Sequence, residues 1–171
     1  MKRIAVTLLT VLLLAPATTL GQRRRRPAPR KTPTQAQMQA RVAQVRTAGA
    51  TKVAEQIKHL TRFIYLLGSV TSGITAADEA AKRNEGNPAL VQESRARVKS
   101  SIASFRETLD RLEIEFRTTP ELQPYYIKLA GVAAGAAKAE EEAAANRFDA
   151  SGRSLLNVVG RLADVLVVMR Q

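Results

Sequence analysis

Apolar or small side chains return at steps of three and four along most of this chain. The first series is Val42, Val45, Gly49, Val53, Ile57, Leu60, Ile64, Leu67, Thr71 and Ile74. At 3.6 residues per turn these positions share one side of a helix, so the spacing predicts one long helix, either continuous or kinked or split in two near Gly49 within "TAGAT". A start signal precedes it in "TPTQ", with Thr32 as N-cap, Pro33 in the first turn and Gln35 three residues on, the capping-box arrangement. A stop signal follows in "RNEGNP", where Gly86 suits a positive φ and Pro88 blocks continuation.

Asn87 and Pro88 open the next helix as N-cap and first residue. Val91, Val98, Ile102, Phe105, Leu109, Leu112 and Phe116 form the clearest stripe in the chain. Its opposite face is charged, with Arg106 and Asp110, and Glu107 and Arg111, set four apart for surface ion pairs. "FRTTPELQPYY" ends this helix. Thr118 to Glu121 has capping-box spacing, and Pro124 either opens the third helix or kinks it. Leu122, Tyr125, Leu129, Val132, Ala136, Ala139 and Ala143 then continue the stripe with shrinking side chains. Gly131 and Gly135 in "GVAAG" mark a place where another backbone can approach closely.

A last helix begins near Asp149 as N-cap. Leu155, Val158, Leu162, Val165 and Met169 form one stripe, and Leu156, Val159, Ala163 and Leu166 form a second beside it. An apolar arc this wide marks either the most buried helix or one that also carries a self-association seam. Amphipathic segments with short connections bury their stripes against one another. The expected fold is therefore all-α, an antiparallel up-and-down four-helix bundle over residues 34–171 with coiled-coil-like heptads.

Composition agrees with this picture and adds a compartment. Aromatics make up 4% of the 171 residues, with no Trp and no Cys, so disulfides and thiolate metal sites are excluded. Lys2 and Arg3 precede an apolar run over residues 4–14, followed by Pro16 and small residues. This is the three-part pattern of a secretory signal covering residues 1–21. It implies a protein exported to the periplasm or the cell exterior. Six cations close behind the apolar run favour the opposite orientation, so an uncleaved N-terminal anchor with a cytoplasmic body, its tail associated with nucleic acid, stands as an alternative.

Residues 22–33 carry Arg23, Arg24, Arg25, Arg26, Arg30 and Lys31 with three prolines and nothing apolar larger than Ala28. Such a segment is expected to be disordered, since it cannot bury enough surface to offset its ordering entropy. The formal charge of +12 sits largely here: of 27 basic residues eight lie in residues 1–31, leaving 19 against 15 acidic ones and an excess of four for the body. The six tail cations are candidate contacts to an anionic surface, lipid headgroups or envelope polymer. No aromatic is interleaved with them, so stacking on bases has no support.

Candidate chemistry in the body is sparse. His59 is the single histidine and sits at the edge of the first stripe beside Phe63; as a haem ligand it would need a partner such as Met169, while Met38 shares its own segment. No Glu lies three residues before it, which removes the Glu-x-x-His element of di-iron bundles. Glu140, Glu141 and Glu142 are consecutive and point in three directions, and Glu113 and Glu115 likewise diverge. Tyr125 and Tyr126 are the densest aromatic pair, one expected in the stripe and the other emerging near Pro124 as a contact residue for a protein partner or a second copy. Taken together these features indicate a non-enzymatic binding or structural module without metal or cofactor. The alternative is a bundle that carries a small apolar ligand or haem, which needs a cavity along the small-residue third helix.

Overall fold

The computed structural model describes residues 34–83, 85 and 87–171. The N-terminal signal pattern, the six tail cations, Thr32 with Pro33, and Gly86 lie outside the described residues. Within them the chain is all-α, with five helices in order: α1 (Gln35–Lys82), α2 (Pro88–Thr118), α3 (Gln123–Leu129), α4 (Val132–Ala144) and α5 (Phe148–Arg170).

α1 runs unbroken through Gly49, so the alternative of two helices joined there does not hold. Gly49 is instead a pit in a continuous helix. A Cβ placed on it would stand 2.8 Å from Leu122 Cδ2 and 3.2 Å from Met169 Cε, so the missing side chain lets α3 and α5 close on α1. The N-cap is Thr34, two residues beyond Thr32. Its Oγ1 accepts from the Gln37 N–H at 3.4 Å while Gln37 Oε1 accepts from the Thr34 N–H at 2.9 Å. Both Thr32 and Thr34 are followed three residues later by Gln, so the motif exists in two registers. At the start of α2 the expected cap forms, with Asn87 Oδ1 accepting from the Ala89 N–H at 3.0 Å and Pro88 in the first turn.

α3 and α4 together make the third leg. Pro124 opens α3 in its first turn, where a missing N–H costs nothing. Thr118 makes no cap, because its hydroxyl donates back to the Ile114 carbonyl at 2.9 Å. The stripe expected to run on from Leu122 to Ala143 is interrupted at Ala130 and Gly131, where Gly131 takes φ +86, a left-handed conformation that disfavours any side chain. α5 starts at Phe148 after an N-cap, Arg147, that makes no side-chain cap bond. Asp149 therefore sits in the first turn rather than at the cap.

Helix contacts run in a ring: α1 with α2, α2 with α3 and α4, those two with α5, and α5 with α1. This is the four-legged up-and-down bundle. Its core is the set of stripes read along the chain, with Val53, Leu60, Ile102, Leu109, Phe116, Leu122, Leu129, Leu155 and Leu162 all buried. Phe63 and Phe105 meet between α1 and α2 with ring centres 5.1 Å apart. α5 has the most buried positions of the legs; the second stripe is half-buried at Val159, Ala163 and Leu166 and exposed at Leu156.

Candidate functional site

One end of the bundle gathers the features that the sequence scatters. It is formed by the start of α1, the end of α2, α3 and the end of α5. Arg46 ties it together: its Nε donates to the Met169 carbonyl at 2.6 Å, and its guanidinium lies 5.6 Å from the centre of the Tyr125 ring, within cation–π range. Lys52 pairs across to Glu115 at the end of α2. A groove of about 640 Å³ lies between α1 and α5 here, lined by Val42, Arg46, Ala50, Leu166, Met169 and Arg170 among others.

Among the described residues the first turns of α1 have no helix packed over them, although Gln39, Val42 and Ala43 border the groove beside the end of α5. Every residue from 34 to 44 is exposed, and the first half-buried position is Val45. At 1.5 Å per residue the ten residues from Gln35 to Gln44 make an overhang of about 15 Å. Met38 and Val42, 54% and 46% exposed, carry the core stripe outward along it.

The same end is electrostatically distinct. Residues 34–52, 115–128 and 166–171 hold Arg41, Arg46, Lys52, Arg117, Lys128 and Arg170 against only Glu115 and Glu121. Six cations against two carboxylates is the body's whole excess of four, and the remainder of residues 32–171 balances at 13 of each sign. The segment carrying the six tail cations joins the body at this end, through Thr34. Linear charge counts do not disclose this, because the residues concerned come from three separate stretches that only the bundle brings together.

Tyr125 and Tyr126 are both half-buried against the core, rather than one inside and one emerging. The aromatic left in solvent is Tyr65, 82% exposed on the outer side of α1, followed by Leu66 and Val70. The signal for it was the absence of any charge in residues 63–77. His59 stands on that outer side with its side chain 60% exposed, 3.6 Å from Glu55 one turn earlier. Met169 packs at Gly49, ten residues before His59 and hence about 15 Å along the helix, so the structure does not bring His59 and Met169 together.

The carboxylates diverge as expected, though to partners that spacing alone did not suggest. Arg106 pairs with Glu140 on α4 at 3.2 Å instead of with Asp110, while Glu107 and Arg111 do pair, at 3.9 Å. Glu142 accepts from the Ser154 hydroxyl on α5 at 2.7 Å. Glu113 reaches across to α4, where its two oxygens accept from the Gly131 and Ala133 N–H groups. The small residues of α4 are met by close approach: a Cβ on Gly135 would lie 2.8 Å from Val158 Cγ2. Beside this contact a groove of about 390 Å³ runs between α4 and α5, lined by Gly131, Ala134, Gly135, Lys138, Asn157 and Arg161 among others.

At the far end, Arg95 of α2 donates to Asp78 of α1 beside a cavity of about 360 Å³ that Arg147, Asp149 and Arg153 also line. Arg95 Nε and Thr71 Oγ1 are buried there without a hydrogen-bond partner. Among the described residues no group of three or more His, Asp or Glu is placed to hold a metal ion, and no helix is long and apolar enough to cross a membrane. No protein-family model matches the chain, and comparison with curated proteins and with solved structures finds no match to it.

Proposed function

We propose that this protein is a non-enzymatic helical-bundle module, exported from the cytoplasm, that is held to an anionic surface by its arginine-rich tail and by the cationic end of the bundle into which that tail runs. The supporting observation is the charge distribution: outside that one end, the body carries equal numbers of cations and carboxylates. Arg23, the furthest of the six tail cations, lies 11 residues from Thr34, a reach of at most about 40 Å even when fully extended. A surface that holds the tail is therefore close enough to meet Arg41, Arg46 and Arg170 as well. Clustered cations of this kind concentrate at surfaces bearing phosphates or carboxylates and are screened by salt. The working parts in this reading are surfaces rather than converging acid–base groups.

The test is fractionation of cells of the native host over a range of salt concentrations. Retention of the protein on membrane or wall material is expected to fall as ionic strength rises from 0.05 to about 0.5 M, where the Debye length becomes shorter than a side chain. Deleting residues 22–31 should release the protein already at low salt. Retention that persists in high salt and survives the deletion would refute an electrostatic tether.

A further inference from the structure

Resting on the reading above, we propose that the anionic surface is a lipid bilayer, and that the overhanging turns of α1 form a second contact with it: Met38 and Val42 enter the headgroup boundary while Arg41, Arg46 and Arg170 meet phosphates beside them. Four observations lead to this. First, Met38 and Val42 lie four apart on the line of the core stripe yet are 54% and 46% exposed, with Val42 at the edge of the groove that the end of α5 borders, so they have the spacing of packed residues and keep about half their surface in solvent. Second, α1 has no acidic residue before Glu55, whereas Arg41 and Arg46 lie within the same turns. An exposed apolar strip bordered by cations is the composition of a helix that lies in a bilayer interface.

Third, charge decides among the occupants. A second copy seated end to end on this strip would oppose two ends that each carry an excess of four positive charges, with two cationic tails beside them. A hydrated anionic polymer would satisfy the arginines but offers Met38 and Val42 nothing apolar to enter. A bilayer with anionic headgroups supplies both. Fourth, the strip is the part of the body nearest in sequence to the tail: Lys31 is seven residues from Met38, so binding of the tail raises the local concentration of bilayer at the strip.

The protein contains no Trp, so Met38→Trp installs a single indole reporter at an exposed position where the fold tolerates it. Protein isolated in the form its own cells produce is mixed with vesicles of 30% phosphatidylglycerol in phosphatidylcholine, with pure phosphatidylcholine vesicles, and with dextran sulfate as a soluble polyanion. A blue-shifted indole emission is expected on the anionic vesicles alone, with quenching when the acyl chains are brominated. Dextran sulfate is expected to bind without shifting it. In parallel, Met38→Gln with Val42→Gln should weaken binding to anionic vesicles roughly tenfold, from the apolar burial lost, and leave dextran sulfate binding unchanged. Salt-sensitive vesicle binding with an indole that stays water-like and unquenched overturns this contact while leaving the tether intact. A concentration-dependent shift without vesicles overturns it in favour of a second copy. Absence of binding to both anionic vesicles and dextran sulfate overturns the tether as well.

Discussion

The half-buried carboxylate of Glu113, near the C-terminal end of α2, caps the break in the third leg by accepting the N–H of Gly131 at 3.2 Å. Its second oxygen takes the Ala133 N–H at 3.1 Å. The first N–H groups of a helix have no partner within it, and α4 has no cap from its own N-cap residue. Glu113 thus satisfies from a neighbouring leg what Gly131 cannot supply. Glu113→Ala is expected to lower unfolding free energy by about 1–2 kcal/mol, the range of a lost N-cap. Glu113→Gln should recover part of that loss, because its single carbonyl oxygen can hold one of the two N–H groups. Urea denaturation of the three proteins checks the order.

Glycines at two positions should respond to alanine with opposite signs. At Gly68 a Cβ would meet nothing within 4 Å, so Gly68→Ala is expected to stabilise the protein by about 1 kcal/mol through helix propensity alone. At Gly135 the same methyl would stand 2.8 Å from Val158 Cγ2, on a buried and rotationally stiff side chain. An overpacking cost of about 1–3 kcal/mol there exceeds the propensity gain, and Gly135→Ala should lower the melting temperature. Calorimetry on both variants would show the divergence.

Much of this fold was open to reading from the sequence, because burial in a bundle imposes a three-and-four rhythm that Leu60, Ile102, Phe116 and Leu162 all obey. What escaped reading depends on contacts between distant segments. Gly131 and Gly135 look alike in "GVAAG", yet one serves a positive φ and the other a close approach, and only the position of α5 distinguishes them. Thr32 and Thr34 offer the same capping motif, and Arg106 has Asp110 four residues on but pairs with Glu140 across the bundle. The cationic end was hidden for the same reason, since Arg41, Arg117 and Arg170 become neighbours only once α1, α2 and α5 are side by side.

Leu60 and His59 adjoin in sequence and differ in consequence. Leu60 is fully buried in the core, and Leu60→Ala is expected to cost about 2–5 kcal/mol. His59 faces solvent beside Glu55, so His59→Ala should change stability by no more than about 0.5 kcal/mol. Paired thermal melts give the comparison.

Two ion pairs should likewise separate by burial. Asp78 is the charge partner of Arg95, whose side chain is only 20% exposed, whereas Glu93 and Arg97 pair in open solvent. Asp78→Ala strands a mostly buried guanidinium and is expected to cost about 1–3 kcal/mol. Glu93→Ala should cost about 0.3–0.5 kcal/mol, and less in high salt. Denaturation at two ionic strengths tests both statements.

The most direct test of the anionic-surface account is the partition of the purified protein onto phosphatidylglycerol-containing vesicles at low ionic strength, measured with Arg23, Arg24, Arg25 and Arg26 intact and with all four replaced by Gln. Each arginine near such a surface contributes about 1 kcal/mol, so the replacement is expected to weaken partition by about a thousandfold, with the difference shrinking as salt is added. Equal partition of the two proteins at low salt would contradict it.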